Sequence, residues 1–334
     1  MGIVGCGNIA GIYAENSRRL PEIDLVACAD LDPAKAREFA ARHGISAVTV
    51  DELLADPSVE LIINLTTPLA HYAVARAALQ NGKHVYNEKP LAGQVEEGRE
   101  LLTLAAERGL RVGGAPDTFM GAGYQTAKNL IERGEIGRPL SAVAMMLCPG
   151  HEHWHPNPAF YYQPGAGPMF DMGPYYLTAM VHLFGRVRRV QSTATRAHDR
   201  RLISSQTRAG EFAEVEVDTH IQALLEFESG FVATLITSFD VQAHQLPHLQ
   251  VFGSAGSLNC PDPNGFGGPL HLWTKDSPAW TEVALETPHH ENWRGLGVAD
   301  LIASIGENRE PAASGELAQH VLEVMHLACT AQGV

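Results

Sequence analysis

Met1-Gly2-Ile3-Val4-Gly5-Cys6-Gly7-Asn8-Ile9-Ala10 decides how the first third of this chain folds. The apolar residues up to Gly5 read as a short strand. Gly5-Cys6-Gly7-Asn8-Ile9-Ala10 then matches the G-x-G-x-x-G/A turn, with Ala10 in place of the third glycine. The first glycine makes a tight turn, the second lets a pyrophosphate approach the backbone, and the small third residue lets the next helix pack on its strand. A helix predicted over 9–20 would aim its N-terminal amides and dipole at the phosphates, with Asn8 and Ile9 at its start. Glycines mark many turns, so the motif takes its meaning from the elements after it.

Those elements alternate between strand and helix. Leu25 to Ala29 reads as a strand buried on both faces and ends in Asp30. Asp30 falls about 20 residues past the glycines, where a ribose-binding acid is expected, and the strand–turn–helix–strand frame favours that role over a plain turn residue before Asp32-Pro33. Leu31 follows it and not a basic residue, which favours NAD over NADP. A helix from Pro33 to Gly44, a strand over 60–66 and a helix over 70–81 come next. Thr66, Thr67, Pro68 and His71 would lie at that strand's carboxyl end, beside the cofactor. A strand over 83–86 then runs into Tyr86-Asn87-Glu88-Lys89-Pro90. Glu88 and Lys89 would stand at the carboxyl end of the sheet, where open α/β sheets bind ligands, whereas a plain solvated turn would have the same composition. A helix over 94–108 and a strand over 110–114 complete a parallel, doubly wound sheet.

After about Thr118 the texture changes. A helix over 122–133 precedes strands over 140–147, 187–195, 218–227, 231–239, 246–252 and 269–273, several joined by short polar turns such as Glu228-Ser229-Gly230. Hairpins of this kind give a mixed or largely antiparallel sheet. A helix over 317–331 closes the chain. Two domains are therefore expected, 1–118 and 119–334, in keeping with 334 residues.

Composition narrows the function. A formal net charge of −14 argues against nucleic acid and anionic membrane surfaces. No apolar run reaches the ~18 residues of a membrane span. No basic leader precedes the first strand, so no signal peptide is expected. Five cysteines without paired spacing fit free thiols in a reducing compartment, and the expected location is cytoplasmic.

Two stretches of the second half look chemical. In Gly165-Ala166-Gly167-Pro168-Met169-Phe170-Asp171-Met172-Gly173-Pro174-Tyr175, a helix is expected near Gly173, and Asp171 and Tyr175 can share one face. They could equally be a helix cap and a core aromatic. In His151-Glu152-His153-Trp154-His155, alternate histidines on an extended chain would point to one side. His153 and His155 are expected to contact substrate. No further ligand has recognisable spacing, so no metal is expected.

Together, the Gly5–Ala10 turn, Asp30, Glu88-Lys89-Pro90, Gly165 to Tyr175 and the run from Gly295 through Ala331 resemble the Gfo/Idh/MocA oxidoreductases, in order and over nearly the whole chain. The resemblance implies a Rossmann domain followed by an α/β domain with an open-faced, mostly antiparallel sheet, which often builds a homodimer or homotetramer. It implies that Lys89 is the active-site lysine, that the Lys89–Pro90 bond is often cis, and that Asp171 is the aspartate of the family's D-x-G-x-H pattern. Tyr175 stands where inositol dehydrogenases carry the catalytic histidine, as in glucose–fructose oxidoreductase. Lys89 would then favour the Tyr175 phenolate as base and hydrogen-bond the developing alkoxide. The implied activity is NAD-dependent oxidation of a sugar, inositol or related polyol. A redox-neutral lyase or glycosidase using held NAD is the second reading, and a non-catalytic NAD sensor the third. Lys89 and Asp171 together count against the sensor.

Overall fold

The computed structural model describes residues 1–330. The chain forms two compact units, Met1–Met120 with Asn292–Leu322, and Gly121–Glu291 with the residues from Glu323 on. The expected division at 118/119 placed 292–322 in the second domain, whereas the contacts within the chain tie that stretch to the first.

In the first unit, β1 (Gly2–Val4), β2 (Ala27–Ala29), β3 (Ser46–Ala47), β4 (Leu61–Asn64), β5 (His84–Asn87) and β6 (Val112–Gly114) form one parallel sheet in the order β3-β2-β1-β4-β5-β6. The order reverses between β1 and β4, which is where open α/β sheets leave a crevice at the carboxyl edge. The helices between strands are α1 (Ala10–Asn16), α2 (Pro33–His43), α3 (Val50–Ala55), α4 (Pro68–Gln80) and α5 (Val95–Glu107). Val4, Ile62, Leu79, Val85 and Leu101 are buried in the core they share with the sheet. The all-apolar strands are those of a sheet covered on both faces.

α1 is shorter than the expected 9–20. Its last residue, Asn16, is buried and spends its side-chain amide on the carbonyls of Asn292 and Arg294, 2.9 Å each. Sequence reading also missed β3, α3 and the helix here named α8 (Leu296–Glu307). Among the described residues Gly295, at the start of α8, has no capping side chain of its own. Asp117 supplies the cap from across the unit, accepting from the amides of Gly295 (2.8 Å) and Gly297 (3.0 Å).

The second unit holds α6 (Ala122–Glu132), β7 (Pro139–Leu147), α7 (Pro168–Phe184), β8 (Val187–Thr195), β9 (Arg200–Leu202), β10 (Phe212–Glu214), β11 (His220–Phe227), β12 (Val232–Ser238), β13 (Leu249–Gly253), β14 (Gly256–Cys260), β15 (His271–Thr274) and β16 (Thr281–Glu282). A final helix, α9, covers Gly315–Thr330. Eight strands pair in the order β16-β15-β14-β13-β7-β12-β11-β8, antiparallel except for β7 with β12. α7 packs on β7, β11 and β12. It begins at Pro168, five residues before the expected start, because proline fits the first helical position, where no amide donor is required.

Burial pushes the Asp117 carboxyl up from 3.8 to about 6, against the pull of the Gly297 and Gly295 amides. The native state therefore holds an extra proton between those values, and stability should fall as pH rises through that window. In urea unfolding, Asp117→Asn should flatten this dependence while keeping an acceptor oxygen. Asp117→Ala, which strands two buried amides, should cost about 2–3 kcal/mol.

Candidate active site

The glycine turn is built as a dinucleotide needs it. Gly5 has φ 99°, and a Cβ there would sit 2.6 Å from the Leu65 carbonyl oxygen, so no side chain fits. Gly7 is the opposite case: a Cβ on it would meet nothing within 4 Å, leaving the backbone open to approach. Ile9 is the residue before α1 and makes no side-chain cap to that helix. Asn8 lies exposed in the turn. Asp30 braces the turn, accepting from the Cys6 amide (2.8 Å) and from the Asp32 amide (2.9 Å). Each carboxylate oxygen keeps a further lone pair for a ribose hydroxyl. Asp30, Leu31, Pro33, Arg37, Val48 and Thr49 line a cavity of about 490 Å³. Leu31 is 96% exposed and gives it an apolar wall suited to an adenine ring. These residues fit an adenine dinucleotide.

Beyond β4 and β5 lies a buried polar knot. The Asn64 side-chain amide donates to the Asn87 side-chain oxygen (2.9 Å) and to the His71 carbonyl (3.0 Å). Its own oxygen takes the Thr66 hydroxyl (2.7 Å), and the Asn87 amide reaches the Leu91 carbonyl (3.0 Å). His71 was expected beside the cofactor. It is instead 1% exposed, with Nδ1 2.6 Å from the Pro90 carbonyl and Nε2 3.0 Å from the Thr66 carbonyl. Burial lowers its pKa against the pull of those two carbonyls. The ring clamps the Lys89–Pro90 turn to the end of β4 and is not a ligand-facing group. Glu88 accepts from the Tyr13 hydroxyl on α1 (3.1 Å) and from the Lys89 amide (2.9 Å). Lys89 is half-buried and its bond to Pro90 is cis, as the resemblance implied. Thr67 precedes α4, and Pro68 takes that helix's first position.

In the second unit Asp171 lies in the first turn of α7, where the helix dipole favours a carboxylate, and Tyr175, one turn on, is buried. The histidine stretch is not extended. The amides of Trp154 and His155 bond back to the His151 carbonyl at 3.3 and 3.0 Å, so 151–155 is a turn and its histidines diverge. His153 faces a cavity of about 470 Å³ with Glu152, His198, Arg200 and Arg201. His155 packs edge-on against Trp154, Phe160 and Tyr161. His151, which sequence reading quoted without giving it a role, places Nε2 3.2 Å from Asp171 Oδ2. Its ring lies against Tyr161, Phe239 and Trp154. Among the described residues, no group of three or more His, Cys, Asp and Glu could hold a metal ion.

The turn is anchored from beneath. Arg201 meets Glu152 at 2.8 Å and donates twice to the Phe239 carbonyl at 2.9 Å, and the Tyr162 hydroxyl donates to Glu152 at 2.6 Å. Both charged side chains are at least nine-tenths buried. Breaking such a pair leaves an uncompensated buried charge, so Glu152 fixes the residue on either side of it.

Two family models match the chain, the oxidoreductase family with an NAD-binding Rossmann fold over residues 1–114, and the GFO/IDH/MocA C-terminal domain over 124–259. The chain is 30% identical over 241 residues to dTDP-3,4-didehydro-2,6-dideoxy-alpha-D-glucose 3-reductase of Streptomyces antibioticus, covering 71% of this chain and 67% of that one. It is 25% identical over 259 residues to the uncharacterized oxidoreductase YrbE of Bacillus subtilis, covering 77% and 72%. The solved structure of levoglucosan dehydrogenase in complex with NADH and L-sorbose matches with a TM-score of 0.82 at 20% identity, covering 98% and 94%, a likeness of fold. With two matching domain models and a relative 30% identical over two thirds of its length, the chain belongs to the GFO/IDH/MocA family of oxidoreductases, with an NAD-binding Rossmann domain.

Proposed function

We propose that this chain transfers a hydride between NAD and a carbinol carbon of a sugar, inositol or related polyol, oxidising the alcohol to a carbonyl or reducing the carbonyl back. The observation that carries the reading is the clamped Lys89 turn. It stands at the carboxyl end of the parallel sheet that also carries the glycine turn and Asp30, and it is tied to α1 through Glu88 and to β4 through His71. Bound NAD supplies the acceptor for the hydride leaving the carbinol carbon. Lys89, held in a rigid turn, stabilises the negative charge that grows on the carbinol oxygen. Asp171 and Tyr175 act on the substrate's hydroxyls. That the relatives include sugar reductases supports this class of substrate.

We also propose that a second copy of this chain covers the sheet face away from α7. That face shows Val143, Met145, Leu224, Val232 and Ile236 exposed or half-buried, an apolar surface of the kind that self-association covers. Val143→Lys should shift the mass measured by light scattering to the monomer. A monomeric parent protein would exclude the interface.

Lys89→Ala should fold and bind NAD with near-normal affinity. In steady-state assays on the best substrate of a sugar and polyol panel it should lose about 10²–10³ in kcat, with smaller effects on KM. Full turnover by this variant would sink the assignment.

Asp30 should disfavour a 2′-phosphate, so kcat/KM should be higher with NAD than with NADP. Asp30→Ser combined with Leu31→Arg should move that ratio toward NADP. Comparable efficiencies in the parent protein would contradict this reading of Asp30.

A further inference from the structure

We propose that His151 is the group that takes the substrate hydroxyl's proton, with Asp171 as its orienting partner. The proposal rests on the dehydrogenase reading above. A base needs a nitrogen lone pair at working pH, a fixed tautomer and a path to the substrate. The turn at 151–155 brings His151 to Asp171, and Nε2 to Oδ2 is 3.2 Å. With the proton of the neutral ring on Nε2 and donated to the carboxylate, Nδ1 carries the lone pair. Among the described residues, Nε2 is the one ring nitrogen of His151 with a hydrogen-bond partner, and Nδ1 is not among the buried polar atoms.

The ring is held on several sides. Its centroid lies 4.1 Å from that of Tyr161, 4.7 Å from Phe239 and 5.5 Å from Trp154. Beneath, Glu152 is locked by Arg201 and Tyr162, which stops the turn from swinging. Asp171 of α7 lies within hydrogen-bond reach of the ring and Tyr161 packs against it, while Glu152, Arg201 and Asp240 form the charged cluster that anchors the turn. A free phenol titrates near ~10, so near neutral pH it is almost wholly protonated and must ionise before it can accept a proton.

In the oxidative direction the balance is simple. The O–H bond breaks and its proton goes to His151 Nδ1. Bound NAD would accept the carbinol hydrogen together with its electron pair, as hydride, and the alcohol would become a carbonyl. Imidazolium then releases its proton to water. Asp171 stays ionised and changes no bond.

Two measurements test this. In nitrogen-15 NMR of histidine-labelled protein without substrate, the neutral His151 ring should be the Nε2–H tautomer, and Asp171→Ala should turn it into a mixture. A dominant Nδ1–H form in the parent protein would overturn the proposal, whatever the activity. In steady-state assays, His151→Ala should keep NAD binding and lose about 10²-fold or more in kcat, part of which added imidazole restores. Tyr175→Phe should lose less than His151→Ala. An active parent with His151→Ala at near-full turnover would overturn the role of His151 and leave the dehydrogenase reading intact. A parent inactive on every sugar and polyol with NAD would instead count against that reading, and the tautomer would still decide whether Asp171 orients His151.

Discussion

The first unit's chemistry depends on a knot of buried amides at the carboxyl ends of β4 and β5. Asn64 and Asn87 are both fully buried, and each finds partners for its side chain within the knot. A half-satisfied group here would cost the desolvation of a buried amide, so the knot tolerates few arrangements. Its consequence is positional. Thr66, Pro90 and the His71 ring between them fix where the chain turns, and Lys89 sits on that turn. The lysine's long, flexible stem is an unhelpful place to store precision, so the fold stores it in the backbone beneath.

A comparable constraint acts in the second unit, with charge in place of amides. Glu152 faces inward to Arg201, which turns the neighbouring histidines in different directions. Buried ion pairs contribute little net stability, but they choose among conformations that apolar packing alone would leave similar in energy. Here the chosen conformation is the one that delivers an imidazole to a carboxylate at the start of a helix.

Much of this was legible in the sequence, and the parts that were not share a physical cause. The glycine turn, Asp30, the strand–helix alternation and Lys89 are encoded within a few residues each, so local pattern suffices. Helix α3 also had a local signature that went unread, since Thr49 and Glu52 form a reciprocal capping box. His151 was in view, but its partner lies twenty residues away, and an extended chain was assumed where the backbone turns. Asp117 caps a helix 178 residues downstream, and no periodicity carries that information. His71 read as a ligand because it follows a strand end, yet the carbonyls that claim it become visible only once β4 and the Lys89 turn are packed together.

Deuterium transfer tests the central claim most directly. Sugars and polyols deuterated at their carbinol carbons would be incubated with NAD and the enzyme, and the recovered nicotinamide analysed by mass spectrometry. The account predicts deuterium on the reduced nicotinamide for at least one substrate, with slower turnover than the protonated compound. Product formation with no deuterium on the nicotinamide would contradict it.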